Sequence, residues 1–182
     1  MKFVLLGIQG SGKSTQGTLL QKKLGLPYLS TGHIFRNLAK EHTQLGRHIK
    51  EVMNAGYLIS DSKTLEIVSD YLKRPEYQKG YILDGFPRTL AQAATFENGI
   101  DGAIYLNVSD KEALWRLAYR VNDEVREDES LAAIKKRIES YHEFTDPVIE
   151  FYKKKKMLIE VDGEQAIEKI HKQIMKQLKN KE

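Results

Sequence analysis

Short apolar runs bounded by turn residues recur at positions 3–6, 81–83, 103–108 and 157–161, with a weaker run at 28–29. Such runs read as strands buried on both faces. Between them lie helical patterns over 13–24, 61–73, 111–119, 131–144 and 166–178. Strands alternating with helices predict an α/β protein whose parallel sheet carries helices on both faces. Asp146-Pro147 interrupts the late helical region, and Pro147, which fits the first turn of a helix, predicts a new helix running into residues 153–156. Two stretches break the alternation. Residues 31–60 read as helical throughout, and residues 121–130 are short, acidic and nearly free of large apolar side chains. Both read as excursions from the sheet, the kind of segment that closes over an active site.

Composition narrows the class. With 182 residues, 41% apolar and 30% charged, the chain predicts one soluble domain with a real core. A formal charge of +4 and a pI near 9.0 suit a nucleic-acid binder or a protein of small anionic ligands equally. The absence of Cys removes disulfides, thiolate nucleophiles and Cys-ligated zinc, and fits a reducing cytoplasm. Met1 leads straight into the first strand pattern without the apolar stretch of a signal peptide, and no run approaches the ~18 apolar residues of a membrane span. A cytoplasmic enzyme without membrane attachment is expected. The dense basic run at 153–156 holds no aromatic residue, so it reads as a solvated helix end and not as a nucleic-acid surface.

The chemistry is announced at residues 7–14, Gly-Ile-Gln-Gly-Ser-Gly-Lys-Ser, which match G-x-x-x-x-G-K-[ST] between a predicted strand and a predicted helix. Glycines there turn backbone N–H groups inward around a phosphate, and the helix that follows points its positive end at the same place. Lys13 would reach the outer phosphates, and Ser14 or Thr15 could place a hydroxyl on Mg2+. A second constellation, Asp84-Gly85-Phe86-Pro87-Arg88-Thr89, puts a carboxylate at the end of a buried strand and an arginine four residues on. Taken singly, Asp84 is as well read as a turn former and Arg88 as a solvated charge. Together, at the carboxyl end of a parallel strand, they suit a ligand site.

These segments resemble adenylate kinases. Leu29-Ser30-Thr31-Gly32-His33-Ile34-Phe35-Arg36 is similar to that family's S-T-G-D-x-x-R, and residues 84–89 reproduce its D-G-F-P-R-T, with Gln92 at the family spacing. Gly56-Tyr57-Leu58-Ile59 resembles G-x-L-V, and Arg126-Glu127-Asp128-Glu129 with Arg137 resembles R-x-D-D and the arginine after it. The likeness covers about residues 1–152.

The resemblance implies a P-loop NTPase-like, three-layer fold with a five-stranded parallel sheet. It makes 1–182 one kinase domain, 31–60 a helical AMP-binding insertion and 121–130 a short lid, on a core of 1–30, 61–120 and 131–182. The reaction implied is reversible transfer of the terminal phosphoryl group of ATP to AMP. ATP would be held by Gly10, Ser11, Gly12, Lys13, Ser14 and Thr15, with Arg116 and Arg120. AMP would be held by Thr31, Arg36, Tyr57, Leu58, Ile59, Gly85, Phe86, Pro87, Arg88, Gln92, Arg126 and Arg137. Lys13, Arg88, Arg120, Arg126 and Arg137 would act on the transferring group, as the charge spread over its equatorial oxygens requires. Mg2+ would accompany ATP, met by Ser14 and by Asp84 largely through water, and no structural zinc is implied. The partners implied are ATP and AMP, with no nucleic acid and no membrane, and the chain is expected to be a monomer.

Thr31 and Gln92 resemble the adenine-reading residues of AMP-specific members, against UMP or CMP as acceptor. Three positions depart from the family pattern: Gln9 stands at a usual Pro, Ser14 at a usual Gly and His33 at a usual Asp. His33 has two readings, facing the metal or turned away to cap a helix or bind a backbone carbonyl. A kinase with another acceptor and a nucleotide-binding protein without turnover remain the alternatives.

Overall fold

A computed structural model describes residues 1–96, 99–119 and 130–179. The first strand, β1 (Lys2–Leu6), enters the phosphate loop and helix α1 (Lys13–Leu24), which closes on Gly25 in the left-handed conformation. β2 (Tyr28–Ser30) feeds α2 (Thr31–Ala39) and α3 (Gln44–Asn54), and the chain returns through 55–60 to α4 (Asp61–Leu72). β3 (Tyr81–Asp84) precedes a short α5 (Leu90–Thr95), β4 (Gly102–Asn107) precedes α6 (Asp110–Ala118), and α7 (Leu131–Ser140) with α8 (Asp146–Lys154) leads to β5 (Leu158–Asp162) and α9 (Ile167–Lys179).

All strand pairings are parallel, in the order β2-β3-β1-β4-β5. Alternation within β1 decides the layers, because successive side chains point to opposite faces. Val4 and Leu6 join Leu83, Leu29 and Ala103 under α4 and α8, where Val68, Leu72, Val148 and Tyr152 are buried. Phe3 and Leu5 join Ile82, Ile104 and Ile159 on the other face, covered by Leu20 of α1 and Ile170 and Ile174 of α9. The three-layer fold is therefore present as expected. β1 lies between β3 and β4, so the chain winds in opposite directions from it and opens a crevice at the carboxyl ends.

Residues 31–60 are not helical throughout: α2 and α3 are separated at 40–43, and 55–60 form no helix. Gly56 turns the chain there at φ 79°, a conformation that disfavours other residues. The excursion carries its own small cluster of Phe35, Ile49 and Ile59. The pattern over 131–144 is also divided. α7 ends at Ser140, and residues 141–145 make a wide π-type turn closed by the Asp146 N–H on the Tyr141 carbonyl. Pro147 lies in the first turn of α8, where its missing N–H costs nothing. The short α5 and a 3-10 turn at Pro75–Tyr77 carry too little periodicity to announce themselves.

The wide turn also presents His142, whose ring nitrogens meet Asp146 Oδ2 at 2.9 Å and Asp110 Oδ1 at 2.9 Å, joining α8 to the start of α6. The carboxylate of Asp146, and then that of Asp110, raise the histidine pKa above its ordinary 6.5. A raised folded pKa gives stability that is complete below the unfolded value of 6.5 and is lost as pH rises through the folded value. The melting-temperature deficit of His142→Gln should therefore be largest near about pH 5.5, where carboxylates are still ionised, and shrink steadily above neutrality. A deficit independent of pH would show that the ring acts by packing alone.

Candidate active site

The phosphate loop is shaped by two glycines that no other residue could replace cheaply. Gly10 sits at φ 89° with the Ala113 carbonyl of α6 2.7 Å from where a Cβ would be, and Gly12 takes φ 91° as the residue before α1. Gly12 gives α1 no side-chain cap, whereas Ser30, Thr43, Thr89, Ser109 and Ser130 cap α2, α3, α5, α6 and α7. The first-turn N–H groups of α1 are thus kept for an anion. Lys13 Nζ bends over the loop, donating to the carbonyls of Gly7 at 2.6 Å and Ile8 at 2.8 Å.

A cavity of about 550 Å³ opens beside this loop, bounded by the carboxyl ends of β1, β2 and β3, by α2 and the 55–60 return, and by α7. Among the expected site residues, Gly10, Gly12, Lys13, Ser14, Thr31, Arg36, Tyr57, Leu58, Ile59, Asp84, Gly85, Pro87, Arg88, Gln92 and Arg137 line it. Other expected residues stand elsewhere. Phe86 is 0% exposed and stacks edge-on against Phe96 at 4.9 Å, so its side chain serves the core and its backbone alone is left for a ligand. The Ser11 side chain is likewise buried, leaving it its backbone N–H to offer, and Thr15 is exposed at the start of α1, outside the cavity lining. Arg116 also lies outside the lining, its Nε donating to Glu112 at 2.7 Å along α6. Arg120, Arg126 and most of the expected lid, 121–129, lie outside the described residues.

Arg88 is held at three points: its backbone N–H donates to Gln92 Oε1 at 2.7 Å, its Nε to the Gly85 carbonyl at 2.9 Å, and its own carbonyl accepts from Thr145 Oγ1 at 2.9 Å. The last contact comes from the π-type turn. Burial first, then Arg137 and Arg36 nearby, lower the Arg88 pKa from its ordinary value, and Asp84 opposes them. Like cations gathered out of water are costly unless an anion joins them. Arg137 spans the cleft, donating to Gln9 Oε1 of the phosphate loop at 3.4 Å and to the Met53 carbonyl at the end of α3 at 3.0 Å. Gln9 therefore does more than preserve the loop length.

At the far end, Thr31 Oγ1 donates to the Asp84 carbonyl at 3.1 Å. The Gln92 amide donates to Asp61 Oδ1 at 2.8 Å, and Asp61 also accepts from Thr89 Oγ1 at 2.9 Å. One N–H of that amide is thereby tied to the protein, which fixes its plane. His33 lines the cavity and its ring makes no hydrogen bond among the described residues; only its backbone N–H is engaged, by Ser30 Oγ at 3.4 Å. The reading in which the ring binds a backbone carbonyl is not the arrangement seen.

Sequence reasoning missed two residues here, Asp61 and Tyr28. Asp61 looks like an ordinary acidic residue at a helix start, and Tyr28 like a weak strand residue. Tyr28 donates its hydroxyl to Asp84 Oδ2 at 2.6 Å. Burial, then the Asp84 charge and that hydrogen bond, push the phenol pKa far up, with the Ser30 and Ser14 hydroxyls acting in the opposite sense.

A doubly wound parallel sheet with a phosphate loop after its first strand, a buried carboxylate at the end of β3 and arginines converging from three elements defines the class: a P-loop enzyme that transfers phosphoryl groups to a small acceptor. Comparison with known proteins carries this further. The family model described as adenylate kinase matches residues 5–157. Similar proteins named adenylate kinase occur in Stenotrophomonas maltophilia (37% identical, covering 98% of this chain and all of the relative), Treponema denticola (36%, covering 93% and 95%) and Methanocella arvoryzae (35%, covering 93% and 94%). The chain belongs to the adenylate kinase family.

Asp61→Ala should free both Gln92 and Thr89. A loss of about 1–3 kcal/mol is expected from the orphaned donors, measured by urea unfolding. An unchanged midpoint would mean that the two donors find other partners.

Proposed function

We propose that the protein is an adenylate kinase that uses Lys13, Arg36, Arg88 and Arg137 to hold ATP and AMP head to head and passes the terminal phosphoryl group between them, giving two ADP. The observation that carries this reading is that Arg88, with Arg36 and Arg137 beside it, opens into the same cavity as the phosphate loop. Two nucleotides bring many phosphate oxygens, and their charge is what such a cluster of cations would accept. Phosphoryl transfer asks for positioning and electrostatic stabilisation more than for covalent chemistry, and arginine supplies both through its planar fork.

Within this reading, residues 31–60 are the AMP-binding insertion. Arg36 and Arg88 take the AMP phosphate, and Tyr57, Leu58 and Ile59 flank the adenosine. Thr31 and Gln92 would read adenine, with Asp61 accepting from the Gln92 amide. Arg116, Arg120, Arg126 and the 121–130 lid belong to the ATP side and the transferring group.

Magnesium suits the donors on offer. Ser14 supplies a hydroxyl and Asp84 one carboxylate, only 7% exposed, whose Oδ1 has no protein donor among the described residues. No group of three or more His, Asp or Glu gathers into a dedicated cage among those residues. Mg2+ is ordinarily held in this sparse way, by one or two protein oxygens, water and substrate phosphates. When bound it would neutralise charge on the phosphate oxygens, with Ser14 and Asp84 as its holders. The protein would work in the cytoplasm, as a monomer.

Binding of a bisubstrate analogue that joins two adenosines through five phosphates tests donor and acceptor sites together. Tight binding with one analogue per chain is expected, and binding no tighter than ATP alone would remove the AMP site. Lys13→Ala should lower kcat by about 100-fold or more with the fold intact, since its work is electrostatic. Activity within a few-fold of the parent would sink the assignment of the loop. Arg88→Ala should raise KM for AMP far more than for ATP, because a charge-assisted contact to the acceptor phosphate is lost. Equal weakening of both nucleotides would mean that the two subsites are exchanged or shared.

A further inference from the structure

Asp84 faces a competition. Its carboxylate and the Arg88 guanidinium attract each other, and the acidic residue expected at position 33 is a histidine. The arginine's charge therefore competes with any metal for the carboxylate. The structure shows what restrains it. The Tyr28 hydroxyl donates to Asp84 Oδ2 at 2.6 Å, the short range of a hydrogen bond to an ionised oxygen.

Tyr28 is itself held by the packing of its neighbours. Its ring lies against Gly17 of α1, so closely that a Cβ on that glycine would fall 2.7 Å from the ring Cδ2. Any larger residue at position 17 would displace the phenol. β2 fixes the other end, since Tyr28 pairs with Ile82 and Ser30 with Asp84 in register across β2 and β3. The ring thus reaches Asp84 from a strand and a helix that cannot easily move apart. The phenol lines the cavity together with Ser14 and Ser30.

We propose that Tyr28 is a positioning residue for the metal side of the reaction: by holding Asp84 Oδ2, it keeps Oδ1 available to water on a divalent cation that Ser14 also meets. This inference rests on the magnesium reading of Asp84 and Ser14 given above. Tyr28 touches neither phosphate nor metal in this role; it acts through Asp84 alone. Partners that orient a ligating group commonly carry a large share of metal affinity.

The test is a titration of Mn2+ into the protein saturated with ADP, following free Mn2+ by electron paramagnetic resonance, for the parent, Tyr28→Phe and Asp84→Asn. Tyr28→Phe keeps the ring against Gly17 and removes only the hydroxyl. It should weaken Mn2+ about 10-fold. The affinity for ADP measured without metal, and the melting temperature, should stay at the parent values. Unchanged or tighter Mn2+ binding by Tyr28→Phe, with Asp84→Asn clearly weaker, would overturn the role of Tyr28 and leave the magnesium reading standing. If Asp84→Asn also binds Mn2+ like the parent, the metal reading of Asp84 falls, and the role of Tyr28 with it. Weakening of metal-free ADP in Tyr28→Phe to the same degree as Mn2+ would equally overturn the proposal, because the phenol would then be shaping the nucleotide site as a whole.

Discussion

Positive charge gathered at one end of the parallel sheet sets the terms for the rest of the molecule. Lys13, Arg36, Arg88 and Arg137 all reach the cavity beside the phosphate loop. Cations brought close together repel one another, and burial first, then Arg137 and Arg36, lower the Arg88 pKa. The fold meets it with fixed dipoles and hydrogen bonds. Lys13 lies on the Gly7 and Ile8 carbonyls, Arg88 on the Gly85 carbonyl, and Arg137 on the Met53 carbonyl. Each contact uses a neutral acceptor, which orients a cation without cancelling its charge.

The same requirement accounts for local irregularities that would otherwise read as defects. The π-type turn is one of them, and from it Thr145 Oγ1 donates to the Arg88 carbonyl. The Gly10 conformation lets α6 pack its Ala113 carbonyl directly against the phosphate loop. Arg137 ties that loop to the end of α3, so one side chain links the phosphate loop to the excursion. Lys136 adds to this junction by lying 5.2 Å over the Tyr57 ring.

Much of this was legible before any coordinates, for a physical reason. Apolar runs between turn residues located the strands, most plainly β1 and β3, because strands buried on both faces must be continuously apolar. The phosphate loop was equally plain: its chemistry depends on backbone N–H groups, and backbone conformation is written in glycines at fixed spacing. Residues 13–24 were read as a helix with the bounds that α1 has. The D-G-F-P-R-T segment marked Asp84 and Arg88 as a pair, since both sit on one short stretch of chain.

What the chain alone could not convey is which residues from distant segments meet. Tyr28 and Asp84 are 56 positions apart, and only the β2–β3 register brings phenol to carboxylate. Asp61 and Gln92 are 31 apart, Arg137 and Gln9 are 128 apart, and nothing local marks either pair. Phe86 sits inside a recognisable motif, yet its burial against Phe96 is decided by how α5 folds back on the sheet. Local pattern determined the elements and the loop that binds phosphate, because periodicity and glycine geometry act within a few residues. Tertiary structure decided which side chains serve the cavity and which serve the core, because that depends on strand register and helix packing across the whole chain.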